Sequence, residues 1–133
     1  MPGTASSVLN KRIMATPVDP DYRARLAALN EKFAATVPAT MEKIASALAV
    51  CVAEGADGRA PTQAAMRQLH ELLHGVAGSA GTFGFGTLGQ EARRIEHMLR
   101  EAMACGSGWN AVVPEVEKLL SWAARDAHAT LFD

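Results

Sequence analysis

Apolar residues recur every three or four positions over most of this chain, and that periodicity restricts the fold more than any other feature. The first run is Tyr22, Leu26, Leu29, Phe33 and Val37, followed by Met41, Ile44, Leu48 and Cys51 or Val52. Later stripes fall at Leu69, Leu72, Val76, Ala80 and Phe83, and at Leu88, Ala92, Ile95, Leu99 and Ala102. A last stripe joins Val112 or Val113 to Val116, Leu119, Ala123 and Ala127. Such spacing puts each set on one face of a helix, and no alternating run is long enough for a strand. Pro38 stands between the first two runs. A proline opens a helix readily but disrupts its interior, so the spacing predicts one helix at about 20–36 and another at about 38–54. Asp19 or Asp21 can cap the first, and Pro20 suits its opening turn. Breaks are expected at residues 55–61, at Gly84 with Gly86, and at 105–109, with the last helix at about 110–131. Short loops between long amphipathic helices favour antiparallel neighbours. The expected fold is all-α: an up-and-down antiparallel four-helix bundle with an additional short N-terminal helix. Residues 1–18 read as a flexible tail and 19–133 as the bundle.

Composition narrows the function. The chain has 133 residues, 49% apolar and 20% charged, which is enough for one packed domain. Lys plus Arg number 13 against 14 Asp plus Glu, a net charge of −1 that argues against a nucleic-acid partner. No continuous apolar run approaches the ~18 residues needed to cross a bilayer, and the first residues lack a secretory pattern. No membrane is expected, and the expected location is cytoplasmic. Cys51 and Cys105 have no metal-type spacing and are expected as reduced thiols.

One short motif misleads. His70-Glu71-Leu72-Leu73-His74 matches the H-E-x-x-H signature of zinc peptidases, in which two histidines one turn apart share a metal and the Glu acts as base. A third protein ligand is required, and Ala80 stands where the extended motif has its third His. No metal is expected.

At about 100° per residue, Leu69, Leu72, Leu73, Val76, Ala80 and Phe83 share one face. His74 falls off it, in a stripe with His70, Ala77, Gly78 and Gly81. A glycine in a helix interior costs about 1 kcal/mol relative to alanine. The two glycines therefore either let a neighbouring helix pack closely or clear space for a partner that must reach His74.

Residues 74–85, His-Gly-Val-Ala-Gly-Ser-Ala-Gly-Thr-Phe-Gly-Phe, resemble the phospho-acceptor helix of histidine phosphotransfer (HPt) domains, whose pattern is H-x-L-K-G-x-A-G-x-x-G. The Gly-Thr-Phe-Gly-Phe ending looks especially like the first domain of chemotaxis-type histidine kinases. Leu88, Ala92, Ile95-Glu96 and Leu99 match the family's next helix, and the likeness extends over about residues 20–131. One departure stands out: Ala77 occupies the place of the family's lysine.

The resemblance implies a phosphorelay function, with His74 as phospho-acceptor and Glu96 orienting its imidazole. It implies docking around His70, Ala77, Gly78, Gly81 and Arg93, with His70 and Arg93 available to replace the missing lysine's charge. A neutral imidazole is a competent nucleophile near neutrality, and a carboxylate on one ring nitrogen fixes the tautomer that leaves the other free. No phosphate-cradling loop and no Mg²⁺-type carboxylate cluster is present in the sequence, so neither ATPase nor autokinase activity is expected. No cofactor is expected on this chain. The acceptor Asp and Mg²⁺ would come from a response-regulator receiver domain, the implied partner together with, or in place of, a histidine kinase, and the chain is expected to act as a monomer. The alternative is a helical adaptor whose histidine is never phosphorylated. His97 and His128 are expected in solvent, Phe83, Phe85, Met98 and Met103 in the core, and Trp109 and Trp122 packed near the last helix.

Overall fold

Each apolar stripe becomes a helix, but the chain divides into helices differently from the expectation. A computed structural model describes residues 20–56 and 58–133. The expected tail at 1–18 and the Asp19 cap lie outside the described residues. Four helices follow in order: α1 Pro20–Glu54, α2 Gln63–Ser79, α3 Gly86–Cys105 and α4 Trp109–Asp126. There is no strand among the described residues. Each helix packs on its neighbours in the chain, and α1 against α4 closes the ring. The shared interior holds Ile44, Leu69, Leu88, Ile95, Leu99 and Leu119, all fully buried.

The two helices expected on either side of Pro38 are a single helix of 35 residues, so there is no separate short helix before the bundle among the described residues. The reason is one of phase. Phe33, Val37, Met41, Ile44, Leu48 and Cys51 continue one stripe through the proline, and all pack in or against the core, while Pro38 sits on the exposed face. Thr36 Oγ1 donates to the Phe33 carbonyl at 2.7 Å in the turn that the proline ring crowds. Burial on both sides outweighs the lost N–H. Pro38→Ala should therefore stabilise the protein by about 1–3 kcal/mol, read from urea unfolding, because it restores a backbone donor and relieves the ring clash.

The first turns of α1 also depart from expectation. Tyr22, Leu26 and Leu29 are 49%, 38% and 49% exposed, and burial begins only at Phe33. Length explains this: α2, α3 and α4 have 17, 20 and 18 residues against 35 in α1, so α1 outruns them by roughly 25 Å at about 1.5 Å per residue. By length and composition α1 is also apolar enough to cross a membrane, which the search for one continuous apolar run did not anticipate. Its Ile44, Leu48 and Cys51 face the bundle interior, and burial pushes the Cys51 thiol up to about 11. Both cysteines are free thiols.

Side chains set the helix ends. Glu54 Oε1 accepts from the Thr62 amide at 2.9 Å and from its hydroxyl at 2.8 Å, while Thr62 Oγ1 accepts from Ala65 N at 3.2 Å. One carboxylate thus ties the end of α1 to the N-cap of α2. The third stripe was expected to stay helical to Phe83, yet α2 ends at Ser79. The chain then turns back, with Phe85 N donating to the Ala80 carbonyl at 2.8 Å and Gly84 at φ +89°, a conformation side chains disfavour. The turn drops Phe83 and Phe85 onto Phe33, at ring-centroid distances of 5.3 and 5.2 Å. The last helix likewise stops at Asp126 instead of 131. Asp126 Oδ1 takes the His128 amide at 3.0 Å, and Trp122 Nε1 donates to the Leu131 carbonyl at 2.8 Å. His128 is not simply solvated, since its ring stacks on Phe85 at 3.8 Å.

Candidate functional site

The core stripes of α2 and α3 face each other, and this fixes what happens at their edge. Leu69, Leu73 and Val76 on α2, and Ala80 just after it, pack in one cluster with Leu88, Ala92, Ile95 and Leu99 on α3. Residues one step off these stripes then meet at the rim: His70, His74 and Ala77 from α2, with Arg93, Glu96, His97 and Arg100 from α3. The helices come close because α3 carries a glycine at the crossing. An ideal Cβ on Gly89 would lie 3.2 Å from Gly81 N and 3.4 Å from Ala80 Cβ. By contrast, a Cβ on Gly78 or Gly81 would meet nothing within 4 Å. Of the two readings of that pair, packing against a neighbouring helix does not apply; they leave open surface beside His74. The close approach belongs to Gly89, which sequence periodicity did not single out. Gly89→Leu should cost about 1–3 kcal/mol by forcing α3 away from α2, checked by chemical denaturation, whereas Gly89→Ala should stay near neutral as helix propensity offsets the tight contact.

The His74 side chain is 68% exposed at this rim, with Nδ1 3.7 Å from Glu96 Oε2. Glu96 is almost wholly buried, the one buried charged residue among those described. Burial by itself would raise its pKa, but hydrogen bonding from Arg100 and the nearby His70 prevails and holds the carboxyl below its usual range. Arg100 Nη2 donates to Glu96 Oε2. His70 Nε2 lies 2.7 Å from the same oxygen, within ion-pair reach although off the line of a well-aligned hydrogen bond. His97 Nε2 approaches the other oxygen, Oε1, at 3.9 Å. Glu96 is thus a shared buried anion with four basic side chains around it.

The remaining expected site residues take distinct places. His70 points its Nε2 inward at Glu96, and its ring lies nearly parallel to His74 at 6.0 Å between centroids. Ala77 is buried, so the position of the family's lysine is turned into the α2–α3 seam. Its carbonyl accepts from Arg93 Nη2 at 3.2 Å, which lays a guanidinium along α2 one turn beyond His74. Arg100 escaped the sequence reading, although its i,i+4 spacing from Glu96 is a recognisable signal. Among the described residues, no group of three or more His, Cys, Asp or Glu side chains is arranged to hold a metal ion. A cavity of about 260 Å³ lies between α1 and α2, lined by residues such as Phe33, Met41 and Gly75; it does not include His74.

An exposed imidazole backed by a buried, ionised carboxylate can keep one ring nitrogen protonated and offer the other as a nucleophile. It cannot by itself neutralise a transferring phosphoryl group. No curated protein and no solved structure matches the chain. The family model described as the Hpt domain matches residues 28–128, a span that takes in all the rim residues, and the chain therefore belongs to the histidine phosphotransfer domain family.

Proposed function

We propose that this protein is a phosphocarrier that exchanges a phosphoryl group between His74 and the acceptor aspartate of a response-regulator receiver domain. Histidine phosphotransfer in phosphorelay signalling follows from the family; the residue roles and partner are our reading. The observation that carries it is the exposed His74 with Nδ1 turned toward the buried Glu96 carboxylate. In the transfer, His74 Nε2 attacks phosphorus, the new Nε2–P bond forms as the P–O bond to the aspartate breaks, and the electron pair leaves with the carboxylate. Nδ1 keeps its proton throughout, and the positive charge that develops on the ring is stabilised by Glu96. Gly78 and Gly81 clear room for the receiver beside His74, and His70 and Arg93 frame the same surface, while Ala77, expected there, is buried in the α2–α3 seam. The receiver brings the Mg²⁺; this chain holds no cofactor of its own. Adjacent helices run up and down around a functional unit that begins near residue 19, and the protein works as a cytoplasmic monomer.

The test is transfer from a phosphorylated receiver domain or a charged histidine kinase to the purified protein. Acid-labile label, placed on Nε2 rather than Nδ1 by phosphorus and nitrogen NMR, is the expected result. Absence of label across a broad donor panel, with receiver binding retained, would overturn the carrier reading and leave a non-phosphorylated adaptor.

A further inference from the structure

One oxygen of Glu96, Oε2, lies within ion-pair reach of Arg100, His70 and His74. A carboxylate oxygen presents two lone pairs. At Oε2 one accepts from Arg100 Nη2, and His70 Nε2 crowds the same oxygen at 2.7 Å without a well-aligned hydrogen bond. His74 Nδ1 stands at 3.7 Å, beyond hydrogen-bond range. Oε1 has only the distant His97 Nε2 at 3.9 Å among the ion-pair contacts of Glu96. His70 Nε2 is shut off from water and forms no well-aligned hydrogen bond, so the Glu96 oxygen is what compensates its burial. Arg100 differs: its side chain is 58% exposed and water can replace the carboxylate. His70 and His74 lie one turn apart on α2, and the same oxygen stands 2.7 Å from one ring and 3.7 Å from the other.

We propose that His70 is a positioning residue that holds Glu96 Oε2 away from His74 in the resting protein, so that His74 is only partly oriented until that contact gives way. His70 thereby acts as a brake on phosphoryl exchange at His74. The inference rests on the phosphocarrier reading for its consequence but not for its geometry. With His70 engaged, the His74 ring divides between its two neutral tautomers. With His70 disengaged, Oε2 closes on Nδ1 and the tautomer with a free Nε2 prevails.

The experiment compares the wild-type protein with His70→Phe, which keeps a ring but removes the donor, and with His70→Leu as a second variant should the first not fold. Nitrogen NMR of the His74 ring reports the tautomer, and single-turnover transfer from a phosphorylated receiver reports the rate. Removing the donor should raise the share of the Nδ1–H tautomer and speed transfer about tenfold, the scale of one hydrogen bond gained. His70→Gln, whose amide can still donate to Oε2, should keep the wild-type tautomer balance. In a Glu96→Ala background, His70→Phe should leave the His74 tautomer balance unchanged. An unchanged tautomer in a folded His70→Phe protein would overturn the proposal, and so would slower transfer at saturating receiver or a tautomer shift that persists without Glu96. If wild type accepts no phosphoryl group at all, the carrier reading fails, while the tautomer comparison still decides whether His70 competes for Glu96.

Discussion

His74→Gln should abolish the acid-labile label completely while leaving the fold intact. The side chain is 68% exposed, and glutamine is a good helix former, so stability should change by less than about 0.5 kcal/mol. The amide of glutamine has no nucleophilic nitrogen, so nothing at this position can form the N–P bond. The other histidines are poor substitutes for separate reasons. His70 Nε2 is buried against Glu96, and His128 is stacked on Phe85. His97 is 59% exposed but reaches Glu96 through Nε2, the nitrogen that His74 leaves free. Label retained at wild-type stoichiometry in His74→Gln would move the acceptor elsewhere and dismantle the site as described.

Glu96→Ala should slow transfer about 10²-fold, because His74 loses the group that orients its ring and stabilises its developing charge. It should also cost about 1–3 kcal/mol of stability, since His70 Nε2 stays buried with its compensating oxygen removed, whereas the exposed Arg100 simply rehydrates. The pH dependence distinguishes this variant further. Folded Glu96 holds its proton less tightly than the unfolded chain does, so its contribution is fully present above the usual carboxylate range. That contribution is lost as pH falls through the lowered value of the folded state. Wild type should therefore lose stability more steeply than Glu96→Ala below about pH 4.3, as read from thermal melts across an acid series. Parallel pH profiles, together with unchanged transfer, would remove Glu96 from the site.

Much of the architecture was legible because a helical stripe is a local property. Leu69 to Val76 and Leu88 to Leu99 declare their buried faces through spacing alone; His74 falls off its stripe by the helical angle, whereas Glu96 is singled out only by the family resemblance. Pro38 misled because a proline penalty is also local, whereas the stripe that overrides it extends for several turns on both sides. The first turns of α1 misled in the opposite sense: Tyr22, Leu26 and Leu29 have the right period but lie beyond the reach of shorter partner helices. The ends of α2 and α4 were overextended because Gly84 and Asp126 stop them through backbone conformation and a side-chain cap, which apolar spacing does not register.

The sequence by itself determined the helical class and the buried faces of α2 and α3, and offered His74 and Glu96 as candidates for nucleophile and carboxylate. Only the tertiary structure decided how those residues meet. Spacing sets the angle of a side chain around its own helix axis, but the slide and rotation of α3 against α2 come from packing, here from Gly89 closing on Ala80 and Gly81. That is why a carboxylate expected on His74 stands 3.7 Å from it and 2.7 Å from His70.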